Sequence, residues 1–529
     1  MAYRSDIDTQ MSLNDAFEML SDRKKRIVEN SYAKYFADHI YPKIDGDIFK
    51  VLYEDNPASR PVTPPKYIVG VMLIKELLGL TDDETVETIH CDIRAQYALH
   101  STSLEEQPLS DRTLSRFRER LYNYEQETGR DLLKEAMLKL SNEFCEMMKI
   151  NKKLKRMDSL MVATHAKSMS RLEIIYSTVE KYVSFLNKNG GSDLIPNELK
   201  HYLEKDDINE VIYYTKDEDV PSRLQKVINE AIVIKHIMNT DEWCSSTEYQ
   251  LLIRLLNEQT KDGKAKDNGD ITSNSLQNPN DPDATYRKKA GKDHKGYVGN
   301  VVEAVGKDGA TQIVDFQYET NNYSDQQFSK DYIKRNQDET MISDGAYGSV
   351  EIQKLAEEKN IEFISTSLVG KEPDPIFADY QLSDDERSVS KCAAGHTPIE
   401  SKYSKKNEMI RMKMNLHDCA NCPFKDKCKV KIQKKSAVVI LSSKMVLRAR
   451  YIKKLGEEEF KKLTRQRNAV EGVMSVLRRR FRVDEIPVFG KIKSKIFFTM
   501  KIGAFNMVKL IRYLRKNERN PELQGEYAY

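Results

Sequence analysis

Three acidic residues stand where a carboxylate needs a reason. Asp158 interrupts the short apolar run at 154–162, where an unpaired charge is costly unless a metal or a counter-charge neutralises it. Asp344 closes the segment Thr340-Met341-Ile342-Ser343 and is followed by Gly345, as expected where a backbone turns sharply at the carboxyl edge of a sheet, the edge at which ligands gather. Glu471 is the only acid among six arginines between positions 465 and 482. Three carboxylates brought to one point would hold two divalent ions roughly 4 Å apart, the arrangement that activates water or a hydroxyl and steadies the leaving oxygen in phosphodiester displacement. Mg²⁺, or Mn²⁺ in its place, is a hard cation that takes such oxygen ligands. Arg467 and Arg478 would clamp phosphate beside them and oppose the charge that develops at phosphorus. Singly, each acid has a plainer role: Asp158 as a partner of Lys155 or Arg156, Asp344 as a turn residue, Glu471 as an ion-pair partner of its arginines.

A second group is built from sulfur. Cys419, Cys422 and Cys428 form a tight set, and Cys392 lies upstream with His396 and His417 nearby. Four thiolates would complete a closed tetrahedral Zn²⁺ site, structural because no position stays open for water; reduced, unbound thiols are the alternative. Cys91, Cys145 and Cys244 have no partner at ligand spacing and are expected in cores. Around the cysteines, lysines and arginines from Lys405 to Lys435 make a basic patch of the kind that adds salt-sensitive affinity for phosphates.

These groups depend on the elements that carry them. Residues 1–150 read as helical: Pro64-Pro65 sets a helix start, Gly79 an end, and Thr81-Asp82-Asp83-Glu84 is a capping box. A further helix from about Ser110 has Leu114, Phe117 and Leu121 as its apolar seam and Arg112, Arg116 and Arg120 on another face, which suits a helix-turn-helix-like DNA reader or, more plainly, a solvated basic face. A strand at 154–162 precedes a helical stretch at 171–256 that holds Trp243, more at home in a core than wedged into DNA. Residues 257–283, rich in Asn, Asp, Gly, Lys and Ser, read as an exposed linker or mobile loop. A strand pair follows at 297–305 and 311–318, then a helix at 325–335, a strand at 340–343, a helix at 350–359 and a strand at 361–365, so the acids fall on an α/β sheet or its edges. In Glu471's helix, Val470, Val473, Met474 and Leu477 mark a buried face with the acid beside it.

With 529 residues the chain has core enough for several domains. Its 85 basic and 82 acidic residues leave a net charge of only +3, so any affinity for nucleic acid has to come from local clusters. No apolar stretch is long enough to cross a bilayer, the opening residues have no secretory core, and seven cysteines read as thiols or ligands, so a cytoplasmic protein with no membrane partner is expected.

The order of the acids, one inside a strand, one at a strand end and one on an arginine-rich helix, resembles the bacterial insertion-sequence transposases with an RNase H-like DDE core. Several segments carry the resemblance: Arg60-Pro61, the stretch from Gly79 to Glu84, Leu109-Ser110-Asp111-Arg112-Thr113-Leu114-Ser115-Arg116-Phe117-Arg118, Asp158-Ser159 followed by Val162-Ala163, and Asp344-Gly345-Ala346-Tyr347. The stretch Arg467-x3-Glu471-x6-Arg478 is similar to the signature Tyr-x2-Arg-x3-Glu-x6-Lys, with Arg478 in place of the Lys and Thr464 in place of the Tyr. The resemblance implies an α/β fold: an RNase H-like core (151–170 with 285–385 and 455–515) joined to an all-α DNA-binding domain (1–150), a helical insertion with polar linker (171–284) and a basic, cysteine-containing β-rich insertion (386–450). It also implies that Asp158, Asp344 and Glu471 are catalytic and hold two Mg²⁺ ions, that Arg112, Arg116, Arg120, Arg467 and Arg478 bind double-stranded DNA at element ends and target, and that a homodimer forms on DNA at the nucleoid. The expected activity is strand cleavage at the ends and strand transfer into target DNA. A nuclease of the same fold that only cuts, and an inactive DNA-binding regulator on the same scaffold, are the alternatives.

Overall fold

The computed structural model describes residues 2–7, 15–54, 61–164, 168–238, 241–289 and 291–519. Arg60 lies outside them. Helix α1 (Pro65–Leu78) starts on the second of two prolines, whose fixed φ suits a first helical position and whose missing N–H is no loss there, and it stops at Gly79 with φ 73°. In α2 (Asp82–Cys91) both bonds of the capping box form, Thr81 accepting from the Glu84 N–H and Glu84 from the Thr81 N–H at 2.7 Å. Helices α3 (Thr113–Thr128) and α4 (Leu132–Met147) follow. Helix α3 begins three residues later than expected, because Thr113 Oγ1 accepts from the Ser110 N–H and holds the preceding residues in a turn.

Strand β1 (Leu154–Val162) leads into a helical unit of α5 (Arg171–Lys188), α6 (Val220–Ile237) and α7 (Thr247–Gln259), whose own core includes Ile175, Val179, Ile228 and Leu252. Trp243 packs against that core, as expected. The polar stretch after α7 is exposed over most of 261–274, as expected, but not beyond it. Ser275, Leu276, Gln277, Asn278 and Asp281 are buried, and Asp281 accepts from Thr164 Oγ1, Tyr297 O–H and the Gly490 N–H. Composition misleads here because polar side chains bonded to one another and to backbone can be buried without penalty.

A mixed sheet follows. Strand β2 (Thr285–Lys289) pairs antiparallel with the leading end of β3 (Lys292–Val305), which then pairs antiparallel with both β4 (Thr311–Thr320) and β1. Helix α8 (Asp325–Arg335) leads to β5 (Glu339–Ser343), which runs parallel to β1; α9 (Val350–Glu358) leads to β6 (Ile361–Ser365), parallel to β5. The order across the main sheet is β4-β3-β1-β5-β6. Met157, Met161, Val298 and Val302 face α8 and α9, while Leu160, Val162, Tyr297 and Val301 face the other way.

A smaller antiparallel sheet, in the order β7 (Glu400–Ser404), β8 (Met409–Met414), β10 (Ala437–Leu441), β9 (Lys431–Ile432), has a core of its own around Ile410, Met412, Val439 and Leu441. The chain then returns through α10 (Ser443–Leu455), α11 (Glu458–Gln466) and α12 (Asn468–Arg479) to α13 (Lys491–Arg519). At 29 residues α13 is about 44 Å long. It joins the amino-terminal helices to the sheet in one core that contains Leu73, Phe117, Phe144, Leu160, Phe316, Leu477 and Phe505. Asn506 seals the edge of β4: its side-chain amide accepts from the Ile313 N–H at 2.9 Å and donates to the Ile313 carbonyl at 2.8 Å, as a neighbouring strand would. No helix among the described residues is long and apolar enough to cross a membrane. Of the three cysteines expected in cores, Cys145 is buried, Cys244 half-buried and Cys91 exposed, because Cys91 falls on the solvent side of the last turn of α2.

Candidate active site

The parallel pairing of β1 with β5 sets the first two acids side by side. Leu154 is registered with Thr340, Lys155 with Met341 and Arg156 with Ile342, an offset of 186 residues. Asp158 and Asp344 have the same separation, but the pairing ends at Arg156–Ile342 and β5 at Ser343, so Asp344 stands one residue past its strand, close enough for its charge to act on Asp158. The face of Asp158 is settled by Leu160 and Val162, which pack with Val470, Val473, Met474 and Leu477 of α12. Asp158, two residues before Leu160, therefore looks toward the helix that bears Glu471.

The plainer role for Asp158 is not realised. Lys155 pairs with Glu339, and Arg156 pairs with Glu303 through an Nε–Oε2 contact of 2.6 Å. Burial pushes the Asp158 carboxyl up; the Ser159 N–H, which donates to Oδ1 at 2.8 Å, and the charges of Arg467 and Lys289 pull it back, while the charge of Asp344 adds to the rise. At Asp344, Oδ1 accepts from the Gly345 N–H at 2.6 Å and from Thr366 Oγ1 at 3.3 Å, which leaves Oδ2 for Arg467. Gly345 answers to crowding more than to the turn: its φ is not positive, and a Cβ there would meet Ser367 Oγ at 2.0 Å and force that hydroxyl to rotate away. Behind the acids, buried Tyr347 donates to Asn300 Oδ1 at 2.8 Å, and Ser159 Oγ donates to Asp325 Oδ1 at 3.0 Å.

Arg467 stands at the meeting point. Its Nη2 is 3.4 Å from Asp344 Oδ2 and its Nη1 is 3.6 Å from Glu471 Oε1. The guanidinium is 17% exposed against 44% and 65% for the two acids, so the arginine forms the floor of the site and the carboxylates its rim. Its Nε is buried without an acceptor among the described residues. Arg156 reaches the same joint from below, donating from Nη1 to the Gln466 carbonyl at 2.9 Å, one residue before Arg467. Arg478 is exposed two helical turns beyond Glu471. Thr464, in the signature's Tyr position, donates only to the Lys461 carbonyl.

The sequence reading therefore brings Asp158, Asp344, Glu471 and Arg467 to one place. It missed the support beneath them. Arg156 and Lys509 both pair with Glu303, which is fully buried on β3, and nothing in a strand sequence distinguishes a buried acid with two cations from an exposed one. It also passed over the cations of β2 and β3, Arg287, Lys289, Lys292 and His294, although the run is visible in the sequence. On α3, Arg112 and Arg116 are exposed, whereas Arg120 is half-buried over the ring of Tyr53 at 4.5 Å.

Among the described residues no three His, Cys, Asp or Glu side chains are already closed to the spacing a metal ion demands. The donor chemistry is nevertheless distinct at two places. The acids offer oxygen only, as Mg²⁺ and Mn²⁺ require. Cys392, Cys419, Cys422 and Cys428 line one enclosed cavity of about 20 Å³ in the smaller sheet. A tight turn with Gly395 at φ 85° presents Cys392, and Tyr380 O–H donates to Cys428 Sγ at 3.0 Å. Burial, and then the nearness of the other three thiols, pushes the Cys419 thiol up to about 11, the mark of sulfurs that would repel one another as thiolates unless a cation sat between them.

Two family models match the chain. One, described as transposase DDE domain, covers residues 391–511, which hold the four cysteines, Arg467, Glu471 and Arg478; the other, transposase domain (DUF772), covers residues 21–120 and with them the Arg112 to Arg120 face. Both matches are to transposase domains and indicate an insertion-sequence DDE transposase family. No curated protein and no solved structure matches it. Asp158 and Asp344 lie outside both matched segments, so their assignment rests on their places in the sheet and on Arg467.

Proposed function

We propose that this transposase cuts DNA at the ends of its own element and joins the freed 3′ hydroxyl to target DNA, using Asp158, Asp344 and Glu471 as the acids of a single site. The observation that carries the reading is Arg467, whose guanidinium lies 3.4 Å from Asp344 and 3.6 Å from Glu471, with Asp344 at the end of the strand that pairs parallel with Asp158's own. The strand order β4-β3-β1-β5-β6, antiparallel on one side of β1 and parallel on the other, supports an RNase H-like core.

The three carboxylates would hold two Mg²⁺ or Mn²⁺ ions, which when bound supply Lewis acidity and a strong oxygen nucleophile at neutral pH. The protein's own part is positional. Oδ1 of Asp344 is pinned by Gly345 and Thr366, so Oδ2 keeps a fixed direction. Asp158 is held on the rigid centre of the sheet, and its burial disfavours an uncompensated charge, which favours taking up a cation. Arg467, with an unfilled Nε, and exposed Arg478 would bind the phosphate oxygens on which negative charge builds. Arg112, Arg116 and Arg120 of the amino-terminal helices would help recognise element ends, and the joining of two ends calls for a homodimer on DNA. The four cysteines would hold a structural Zn²⁺ that fixes the insertion at 386–450.

The test uses purified full-length protein and duplexes carrying the inverted repeats that flank the coding sequence. Asp158→Asn, Asp344→Asn and Glu471→Gln are each expected to abolish Mg²⁺-dependent strand cleavage while end binding persists. Near-normal cleavage by any one of them removes that residue from the site. Pre-cut ends separate transposition from cutting alone: a nuclease would nick the duplex and fail to join them, and a regulator would bind and do neither.

A further inference from the structure

The ribbon of β2 and the leading end of β3 carries charge that the acid site leaves unused. Its register sets Arg287 opposite His294 and Lys289 opposite Lys292. Registered residues of an antiparallel pair share a face, as do residues two apart on a strand, so these four side chains lie on one face of the ribbon. The opposite face takes the ribbon's acid: Asp293 accepts from Tyr286 O–H at 2.7 Å, and Lys295 donates to the Met169 carbonyl at 2.7 Å. Of the four, Arg287 is held by buried Asp325 at 3.2 Å, whereas Lys289 and Lys292 are exposed and have no carboxylate within ion-pair distance among the described residues. Like charges directly opposite each other destabilise a strand pair, so this arrangement costs stability unless an anion covers it.

The neighbours extend the same field toward the chemistry. Burial and then the charges of Arg478, Lys289, Lys292 and Arg287 hold His294 below the usual histidine range, so Arg478 of α12 belongs to the same positive zone. Asp325, which holds Arg287, also accepts from Ser159 Oγ at 3.0 Å, and Ser159 is the neighbour of Asp158, so the ribbon is tied to the acid site. The two cationic rungs are two residues apart along the strand, about 6.8 Å, so the charges form a row and do not converge on a point. A row of cations suits a polymer of phosphates better than a single small anion.

We propose that the β2–β3 ribbon and Arg478 form a clasp for the phosphodiester backbone of the DNA strand that lies over the acids, gripping it beside the bond to be cut. This rests on reading the acids as a strand-cutting site. The clasp adds affinity without sequence preference, and its contribution is lost with salt as counterions compete for the phosphates.

The test is the double substitution Lys289→Ala/Lys292→Ala in the full chain, with a short fluorescein-labelled duplex in an anisotropy titration over a salt series. Each phosphate contact contributes about 0.9 to the slope of log K against log salt, so losing two should flatten the slope by about 1.8. Between 50 and 200 mM salt the wild-type protein should then lose about 12-fold more affinity than the variant, by that same slope. Lys289→Arg/Lys292→Arg should restore the wild-type slope, and in cleavage assays the alanine variant should raise KM more than it lowers kcat. Both lysines are exposed and the alanines relieve their repulsion, so the thermal midpoint without DNA should be no lower than in the wild type. An unchanged salt slope overturns the clasp. A flattened slope in a protein whose wild type cuts no DNA with Mg²⁺ or Mn²⁺ sinks the strand-cutting reading and keeps the clasp as a DNA contact.

Discussion

Replacing Glu303 by Gln probes the support beneath the site. Glu303 is fully buried and accepts from Arg156 Nε at 2.6 Å on one oxygen and from Lys509 Nζ on the other; Lys509 also donates to Thr311 Oγ1. Burial alone would raise its carboxyl pKa, but the charges of Lys509 and Arg156 outweigh that and hold it below the usual glutamate range. The amide keeps the shape and removes the charge, leaving two cations in the interior with no counter-ion. Breaking a buried pair in this way costs about 3–5 kcal/mol, between two and four orders of magnitude in the folding equilibrium. Urea unfolding followed by far-UV circular dichroism should show the midpoint falling at constant slope. The pH dependence supplies a sign. A depressed carboxyl stabilises the fold at pH values above its unfolded pKa of about 4.3, and that contribution is lost as pH falls through the lower folded value. The gap between wild type and Glu303→Gln should therefore be full at pH 7 and narrow below about pH 4. A cost under about 1 kcal/mol, or a gap that ignores pH, would refute the claim that Glu303 is the counter-charge of this cluster.

Two further outcomes follow from the packing and from the cysteine cavity. Gly299 lies under Phe498, and a Cβ at 299 would sit 2.5 Å from its ring, so Gly299→Ala should cost about 1–3 kcal/mol in thermal denaturation and recover in the Gly299→Ala/Phe498→Leu double variant. If the four cysteines hold Zn²⁺, the purified protein should contain about one zinc by elemental analysis, chelation should lower its melting temperature, and zinc affinity should fall as pH is lowered because the thiols must give up protons; protein purified without chelators that contains no zinc would end that reading.

Local order was legible in the sequence wherever one element carried its own signal. The strand at 154–162, the helix at 325–335 and the strand at 361–365 appear with the expected bounds, because apolar period, capping residues and turn residues agree there. The buried face of α12 was likewise readable from Val470, Val473, Met474 and Leu477. Partnerships across the chain were not. No local pattern announces that Arg156 would turn from Asp158 to Glu303, that Asp281 would bury itself against Tyr297 and Gly490, or that Arg467 would settle between two acids. These are choices of one charged side chain among many equally polar candidates, decided by register and by which helix returns to which sheet face. The Gly345 case is similar in kind: its residue type suggested a turn, while the hydroxyl that crowds it belongs to Ser367, 22 positions away.

The three acids differ in how securely the fold delivers them. Asp158 lies inside β1 and Asp344 one residue past β5, the strand that pairs parallel with β1 as far as Arg156–Ile342, so the formed sheet brings both acids to neighbouring positions. Glu471 arrives 127 residues later, on a helix seated by the apolar contacts of Val470, Val473 and Leu477 and by the bond from Arg156 to the Gln466 carbonyl. Arg156 is itself held by Glu303, whose other cation, Lys509, belongs to α13. The third carboxylate is thus linked through buried Arg156 and Glu303 and half-buried Lys509 to the last described helix, which also packs on α1 and α4. Replacing Arg156, Glu303 and Lys509 together by apolar residues should recover most of the stability lost by Glu303→Gln, since well-packed apolar side chains can replace a buried charged cluster. It should not restore whatever depends on the hold over Gln466. That separation between stability and the placement of Glu471 distinguishes a cluster that merely fills the core from one that positions a helix.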